Sequence, residues 1–344
     1  MATSLHWRYR VGNQRDWVWR GWQTRYTYLR AATGESSTPL ILLHGFGASI
    51  GHWRQNLAAL AQHHTVYALD LLGFGASEKT SAPYSAVFWA EQVYDFWKTF
   101  VGQPVVLVGH SVGSMVCLAV AAKYPEMVKG LIMINLPDSS VLEAPEWLQK
   151  SITRPFRWSL SALGVVTQPL LGIAKGVLTS PLVFYPLFRL IRSASVIKLW
   201  AKQAYATPTA ITDEVLEIFS SPAYDRGAVR ALRAMIHPKT KAEMDYTARN
   251  VLPKLDIPIL LLWGEKDRMV PPKLGPLFIK YNPRLTLVAI ENAGHCPHDE
   301  CPERVNRIIL DWLATWQLSD TASFAGLFVG NTDVTKSGAD HLLF

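Results

Sequence analysis

Apolar and polar positions change period repeatedly between residues 40 and 136. PLILLHG is an apolar run of strand length, Trp53, Leu57, Leu60 and Ala61 then recur on one helical face, and TVYALD returns to a strand. The pattern goes on to predict a helix over 85–101, the strand PVVLVG, a helix over 112–124 closed by Pro125, and the strand KGLIMIN. Strands alternating with helices build a mostly parallel sheet flanked by helices. After residue 250 the alternation resumes with IPILLLWG and LTLVAI. A last helix carries Val305, Ile308, Ile309, Trp312, Leu313 and Trp316 at helical spacing.

We therefore expect an α/β core from residues 1–138 and 251–318, with an inserted helical cap over 139–250 broken by frequent Pro and Gly. The first 38 residues set Trp7, Trp17, Trp19 and Trp22 between polar positions, which predicts an antiparallel hairpin leading into the sheet. Residues 319–344 are small and polar and are expected to form a loose tail. The chain has 344 residues, 49% of them hydrophobic, enough for a substantial core and incompatible with overall disorder. Cys117, Cys296 and Cys301 are too few and too odd in number for a disulfide framework, which points to a reducing compartment. The first residues reach charged positions without an apolar h-region, so neither a signal peptide nor secretion is expected. The longest uncharged run, Trp158 to Ala174, has 17 residues and contains Gln168 and Pro169. A spanning helix needs roughly 20 apolar residues.

Gly109-His110-Ser111-Val112-Gly113 lies between a predicted strand and a predicted helix, the context in which G-x-S-x-G makes a nucleophile elbow. Ser111 is the candidate nucleophile, and Gly109 and Gly113 are the small flanks so sharp a turn requires. A serine hydroxyl needs an imidazole to take its proton, and the imidazole needs a carboxylate to fix its tautomer. Asp267, in GEKDRMVPP after one late strand, and His295, in ENAGHCPHDECP after the next, fill those roles in the order Ser, Asp, His. Asp138, just past KGLIMIN, is the alternative acid. Asp256 precedes its strand and belongs to the wrong end of the sheet. His295, Cys296, His298 and Cys301 form a dense group of metal-ligand types, but the spacing lacks a paired second half. Neither a metal nor any other cofactor is expected. His44-Gly45-Phe46-Gly47 follows the first core strand, and the backbone N–H groups of Phe46 and Val112 are the candidate oxyanion hole.

The cap adds information about partners. Between Ser139 and Lys202 eight basic residues stand against Glu143 and Glu146, so this segment carries +6 of the net +7. Its cations (Lys150, Arg154, Arg157, Lys175, Arg189, Arg192, Lys198 and Lys202) accompany the apolar runs SALGVVTQPLLGIA and GVLTSPLVFYPLF. Basic and apolar together suggest peripheral contact with an anionic membrane; a solvated cationic rim around buried helices is the alternative. No nucleic-acid motif accompanies the charge. Trp147, Phe156, Trp158, Phe184, Tyr185, Phe188 and Trp200 suit a large apolar ligand, and Trp158, Phe184, Tyr185 and Phe188 are the candidate substrate contacts. Nothing in the sequence fixes an oligomeric state.

LLHGFGASIGHWRQN, HTVYALDLLGFGASEK and VGHSVGS, within residues 40–136, resemble the α/β-hydrolases of cyanobacteria and chloroplasts. Within these the chain resembles the chlorophyll dephytylase family and, more distantly, the pheophytinases. The triad extends the resemblance to about residue 315, while the cap does not align. His110 departs from the Asn that plant relatives often carry before the nucleophile. The resemblance implies an α/β-hydrolase fold and a serine hydrolase that cleaves the phytyl ester of a chlorophyll-type pigment to chlorophyllide and phytol. The chain is expected on the cytoplasmic side, peripherally associated with a membrane, and the resemblance implies that this membrane is the thylakoid. The alternatives are a lipase, carboxylesterase or thioesterase acting on another hydrophobic acyl ester, or a hydrolase-fold protein that binds a hydrophobic ligand without turnover. Haloalkane and epoxide chemistry is disfavoured, because each needs a carboxylate where Ser111 stands.

Overall fold

The structure is a computed structural model that describes residues 6–32, 37–142, 180–236 and 245–319. Eight strands form one sheet: β1 (Gln14–Trp19), β2 (Trp22–Leu29), β3 (Leu40–Leu43), β4 (Val66–Leu69), β5 (Val105–His110), β6 (Val128–Ile134), β7 (Ile259–Gly264) and β8 (Leu285–Ile290). Their order is β1-β2-β4-β3-β5-β6-β7-β8. β1, β2 and β4 pair antiparallel, and every pair from β4 through β3 to β8 is parallel. β3, β5 and β7 are buried along their whole length, as their continuous apolar runs require of strands covered on both faces. The hairpin β1–β2 turns at Arg20 and Gly21, both at positive φ (51° and 87°), the two-residue geometry whose twist matches the strands it joins.

The helix Ala86–Phe100 starts where Ser85 Oγ accepts the Phe88 N–H at 3.0 Å. The helix Val112–Lys123 packs between β5 and β6 and is buried along most of its length. The amphipathic stretch around Trp53 is not one helix. It forms a 3₁₀ turn, Ile50–Trp53, and a single helical turn, Leu57–Leu60. Between them the buried Asn56 amide leaves the helical pattern to donate to the His298 carbonyl at 3.0 Å and to Asn306 Oδ1 at 2.7 Å.

Between β6 and β7 the described residues include the helices Pro181–Ile191, Ala194–Ala204, Asp213–Ser220, Ala228–Met235 and Ala248–Val251. Residues Met1–Asn306 form one compact unit and Arg307–Phe344 a second, and the helix Pro302–Ser319 runs across the division. Parallel pairing has one functional consequence. The segments that follow β3, β5, β7 and β8 all emerge at the same edge of the sheet, where residues far apart in sequence can meet.

Candidate active site

β5 ends at His110 and the next helix begins at Val112, which leaves Ser111 alone at φ 52°, ψ −116°. A non-glycine residue there is strained by about 1–2 kcal/mol, and the turn is held by its surroundings. Ser111 N–H donates to the Ile134 carbonyl at 2.8 Å, and Ser114 Oγ donates to the Gly109 carbonyl at 2.7 Å. A Cβ on Gly109 would lie 2.5 Å from the Gly113 carbonyl group, and a Cβ on Gly113 would overlap the Leu43 carbonyl. Both elbow glycines are thus demanded by sterics.

The structure brings Ser111, His295 and Asp267 together. Ser111 Oγ lies 2.9 Å from His295 Nε2, and His295 Nδ1 lies 2.7 Å from Asp267 Oδ2. All three are buried. Asp267 accepts only, so His295 donates from Nδ1 and Nε2 is left to accept the Ser111 proton. The other carboxylate oxygen of Asp267 accepts the N–H groups of Met269 (2.7 Å) and Val270 (2.9 Å), while Asn135 Nδ2 donates to Oδ2. Burial alone would raise the Asp267 carboxyl. The hydrogen bond and charge of His295, with the Val270 and Asn135 donors, outweigh it and hold the carboxyl below its ordinary value of 3.8.

The loop after β3 packs directly on the elbow. A Cβ on Gly45 would sit 2.7 Å from His110 Nδ1 and 3.3 Å from Ser111 Cβ, so only glycine allows this approach. Phe46 follows Gly45, and among the described residues neither the Phe46 N–H nor the Val112 N–H has a hydrogen-bond acceptor. The other expected candidates go elsewhere. Asp138 caps the turn Ser139–Val141 and accepts the Ala248 N–H at 2.6 Å, which makes it a brace for the insertion. Asp256 is exposed and paired with Arg284 at 2.8 Å. Cys296 is buried and Cys301 half-buried, both as free thiols.

The profile of the alpha/beta hydrolase fold family matches residues 38–302. The chain belongs to that family. It is 27% identical over 327 residues to chloroplastic pheophytinase of Arabidopsis thaliana, a match that covers 84% of this chain and 64% of the relative. The chain thus spans less than two thirds of that relative's length. It is 35% identical over 124 residues to the (lyso)-N-acylphosphatidylethanolamine lipase of Mus musculus, 33% of this chain and 36% of that protein. Among solved structures it superposes on a membrane phospholipase A, described as a novel bacterial virulence factor, with a TM-score of 0.67 and 22% identity over 90% of this chain and 89% of the other. At that identity the likeness is one of fold.

Several residues that shape this hydrolase-fold site carry no periodic signal in the sequence. His110 is buried and donates from Nε2 to the His295 carbonyl at 2.8 Å. Asn135, at φ 50°, links Asp267 to the Gly264 N–H. Glu300 accepts the N–H groups of Gly294 (2.8 Å), Ala206 (2.7 Å) and Thr207 (3.2 Å), and His295 N–H donates to the Ala204 carbonyl at 2.6 Å. The end of the helix Ala194–Ala204 is therefore hydrogen-bonded to the loop that carries His295. Their only sequence signal is position, immediately beside the elbow, the end of β6 or the GHCPHDE motif.

Burial pulls the imidazoles of His44, His52, His110 and His298 below the ordinary histidine value, His110 to about 3, so all four are neutral near pH 7. His298 groups with His52 and His110, not with Cys296 and Cys301.

An apolar cavity of ≈ 220 Å³ lies under the insertion helices, walled by Phe46, Phe74, Phe188, Trp200, Phe219 and Met235 among others. Of the three expected substrate contacts among the described residues, Phe184, Tyr185 and Phe188, only Phe188 lines it. Phe184 is instead buried against Phe188 and Ala228, because it falls on the inner face of its helix, and Tyr185, one residue on, is exposed. Trp158 lies outside the described residues, as do Trp147 and Phe156.

Proposed function

We propose that this protein is a serine hydrolase of hydrophobic esters, and that its substrate is the phytyl ester of a chlorophyll-type pigment. The observation that carries the reading is the single imidazole of His295 within hydrogen-bond reach of both Ser111 and Asp267. Ser111 Oγ attacks the ester carbonyl while His295 Nε2 takes its proton. The oxyanion forms against the Phe46 and Val112 N–H groups, which have no acceptor to give up among the described residues. On collapse, His295 returns the proton to the departing phytol oxygen. Water, deprotonated by His295, then attacks the acyl-enzyme and releases chlorophyllide and Ser111.

The cavity supports a long apolar alcohol. Its volume is below the roughly 300–1,000 Å³ common for ligand sites, so a chain of phytyl length extends past it toward the insertion's outer face. That face also suits a membrane. Leu182 (88% exposed), Leu190 (61%) and Leu199 (60%) stand beside Arg189, Arg192, Lys198 and Lys202, and peripheral docking on anionic lipid forms part of the proposal. No helix among the described residues is long and apolar enough to cross a membrane. The 27% identity to pheophytinase supports the pigment substrate. The 35% identity to a phospholipid-directed lipase over 124 residues favours the second reading, a lipase or esterase on other acyl esters.

Incubation with chlorophyll and pheophytin side by side, followed by chromatography, separates the two. Release of phytol is expected from wild type and not from Ser111→Ala. Inert pigments with rapid turnover of acyl glycerides or aryl esters would replace the first reading with the second. Absence of Ser111-dependent fluorophosphonate labelling would overturn both. Flotation with anionic vesicles at low salt tests the docking, and protein that stays at the bottom of the gradient contradicts it.

A further inference from the structure

Three histidines gather behind the elbow. His52 lies in the turn after β3, His110 ends β5, and His298 lies in the helical turn Pro297–Glu300 after β8. All are buried, with ring centroids 4.4 Å (His52–His298), 4.5 Å (His110–His298) and 5.3 Å (His52–His110) apart. One ring nitrogen from each lies within 4.8 Å of the others. None of the three is used by the mechanism above to move a proton.

Their ring nitrogens divide into those with a hydrogen bond and those without. His110 Nε2–H donates to the His295 carbonyl, which leaves Nδ1 as a lone pair. His52 Nε2 lies 3.2 Å from Tyr205 Oη, whose own O–H goes to Asp299 Oδ2 at 2.7 Å, so His52 donates outward and its Nδ1 is likewise a lone pair. These Nδ1 atoms and both nitrogens of His298 are buried without a hydrogen-bond partner. So many unpartnered polar atoms in one cluster are unusual, because buried polar groups are nearly always satisfied. One ring nitrogen anchored on a carbonyl or on a carboxylate-linked hydroxyl, with the other left unpartnered, is the pattern that orients metal-bound imidazoles.

We propose that His52, His110 and His298 form a three-imidazole site for a divalent transition-metal cation of the zinc class. Zinc bound to nitrogen at about 2.0–2.1 Å in a tetrahedron sets ligand atoms roughly 3.4 Å apart, so the rings close by on the order of 1 Å. A cation there ties together three loops at the catalytic edge of the sheet, one of them through the residue that precedes Ser111. Phe219 is both a wall of the cavity and an edge neighbour of His52, at 5.0 Å between centroids, so the cavity side is the route of access.

The test uses full-length protein stripped with chelator, with Zn²⁺ added to the native protein and also during refolding. Calorimetry is expected to give one tight equivalent. X-ray absorption is expected to give nitrogen or oxygen neighbours with imidazole outer-shell scattering and no sulfur. His298→Asn and His52→Gln each remove a ligand and are expected to weaken binding by more than the ~10-fold that loss of an outer-shell partner alone can cost. Lack of a tight equivalent, sulfur in the first shell, or binding by both variants as tight as that of wild type would overturn the proposal. Should the variants not fold, the absorption spectrum of wild type alone decides, because a site elsewhere that uses cysteine or carboxylates lacks the three-imidazole signature.

Discussion

Asp267→Asn is the perturbation that tests the tautomer argument most sharply. In the wild type two backbone N–H groups point at Asp267 Oδ1, so in the variant the amide oxygen is held there and the amide NH₂ takes the place of Oδ2. That NH₂ faces His295 Nδ1 at 2.7 Å and the donating Nδ2 of Asn135. His295 must then accept at Nδ1, its proton moves to Nε2, and a nitrogen that carries a proton cannot take one from Ser111. The expected loss in kcat is about 10⁴-fold, or roughly 5.5 kcal/mol at 1.36 kcal/mol per decade. The opposed donors should also cost about 1–3 kcal/mol of stability. Adding Asn135→Asp separates the two effects. The carboxylate it introduces accepts from the amide of the Asp267→Asn side chain and keeps the Gly264 N–H bond, so stability recovers while the tautomer stays wrong. Urea unfolding together with aryl-ester hydrolysis reads both quantities. An Asp267→Asn enzyme with more than about a tenth of wild-type kcat, or a double variant that regains activity along with stability, would refute the reasoning.

The remaining predictions concern the supports of the triad. Gly113→Ala places a methyl on the Leu43 carbonyl and should cost at least about 1–3 kcal/mol, measured by urea unfolding; a neutral change would contradict the elbow geometry. Glu300→Gln turns one of its accepting oxygens into a donor facing the backbone N–H groups of Ala206 and Thr207 or of Gly294. It should destabilise by about 1–3 kcal/mol and lower kcat by loosening the His295 loop, and an unchanged melting curve and rate would sink that role. Asp267 has a lower carboxyl value folded than unfolded. Its ionised form therefore contributes stability that is fully present above the unfolded value of about 3.8 and lost as pH falls through the lower folded value, so the wild-type advantage over Asp267→Asn should narrow progressively as pH falls below about 5.

The parts of the molecule legible in the sequence are those whose signal is local. PLILLHG and PVVLVG read as buried strands because a strand covered on both faces must be apolar at every position. The positions of Ser111, Asp267 and His295 follow from reading loops after parallel strands. The broken helix near Trp53 was not legible, because the Asn56 side chain is held by His298 and Asn306, some 240 and 250 positions away. The same limit hid His110, Asn135 and Glu300, whose roles consist of one long-range hydrogen bond or a few. In the cap, the sequence shows aromatic residues but not the phase of each helix against the sheet, and that phase alone decides that Phe188 faces the cavity while its neighbours Phe184 and Tyr185 do not.

LDLLGFGASEK, which carried much of the resemblance to pigment hydrolases, shows why motif likeness and substrate must be argued separately. Asp70 accepts the N–H groups of Ile50 (2.6 Å) and Ala76 (2.7 Å), and Ser77 Oγ donates to the Asp70 carbonyl at 2.6 Å. A Cβ on Gly75 would overlap the Asp70 carboxylate, and Lys79 is buried among loop carbonyls and pairs with Asp225 at 2.9 Å. His44 accepts the Leu71 N–H at 3.1 Å and so joins this loop to the one that presents Phe46. The motif is thus a brace for the loop that presents Phe46, a role that fixes no particular substrate. Within it only Gly73 and Phe74 reach the cavity wall, whereas most of that wall, including Phe46, Phe188, Trp200, Phe219 and Met235, lies outside the motif, so most of the wall that could select a substrate is not read by the motif. If that division holds, exchanging the cavity wall moves substrate preference, while exchanging motif residues such as Asp70 or Ser77 lowers stability and turnover on all esters alike and leaves preference unchanged.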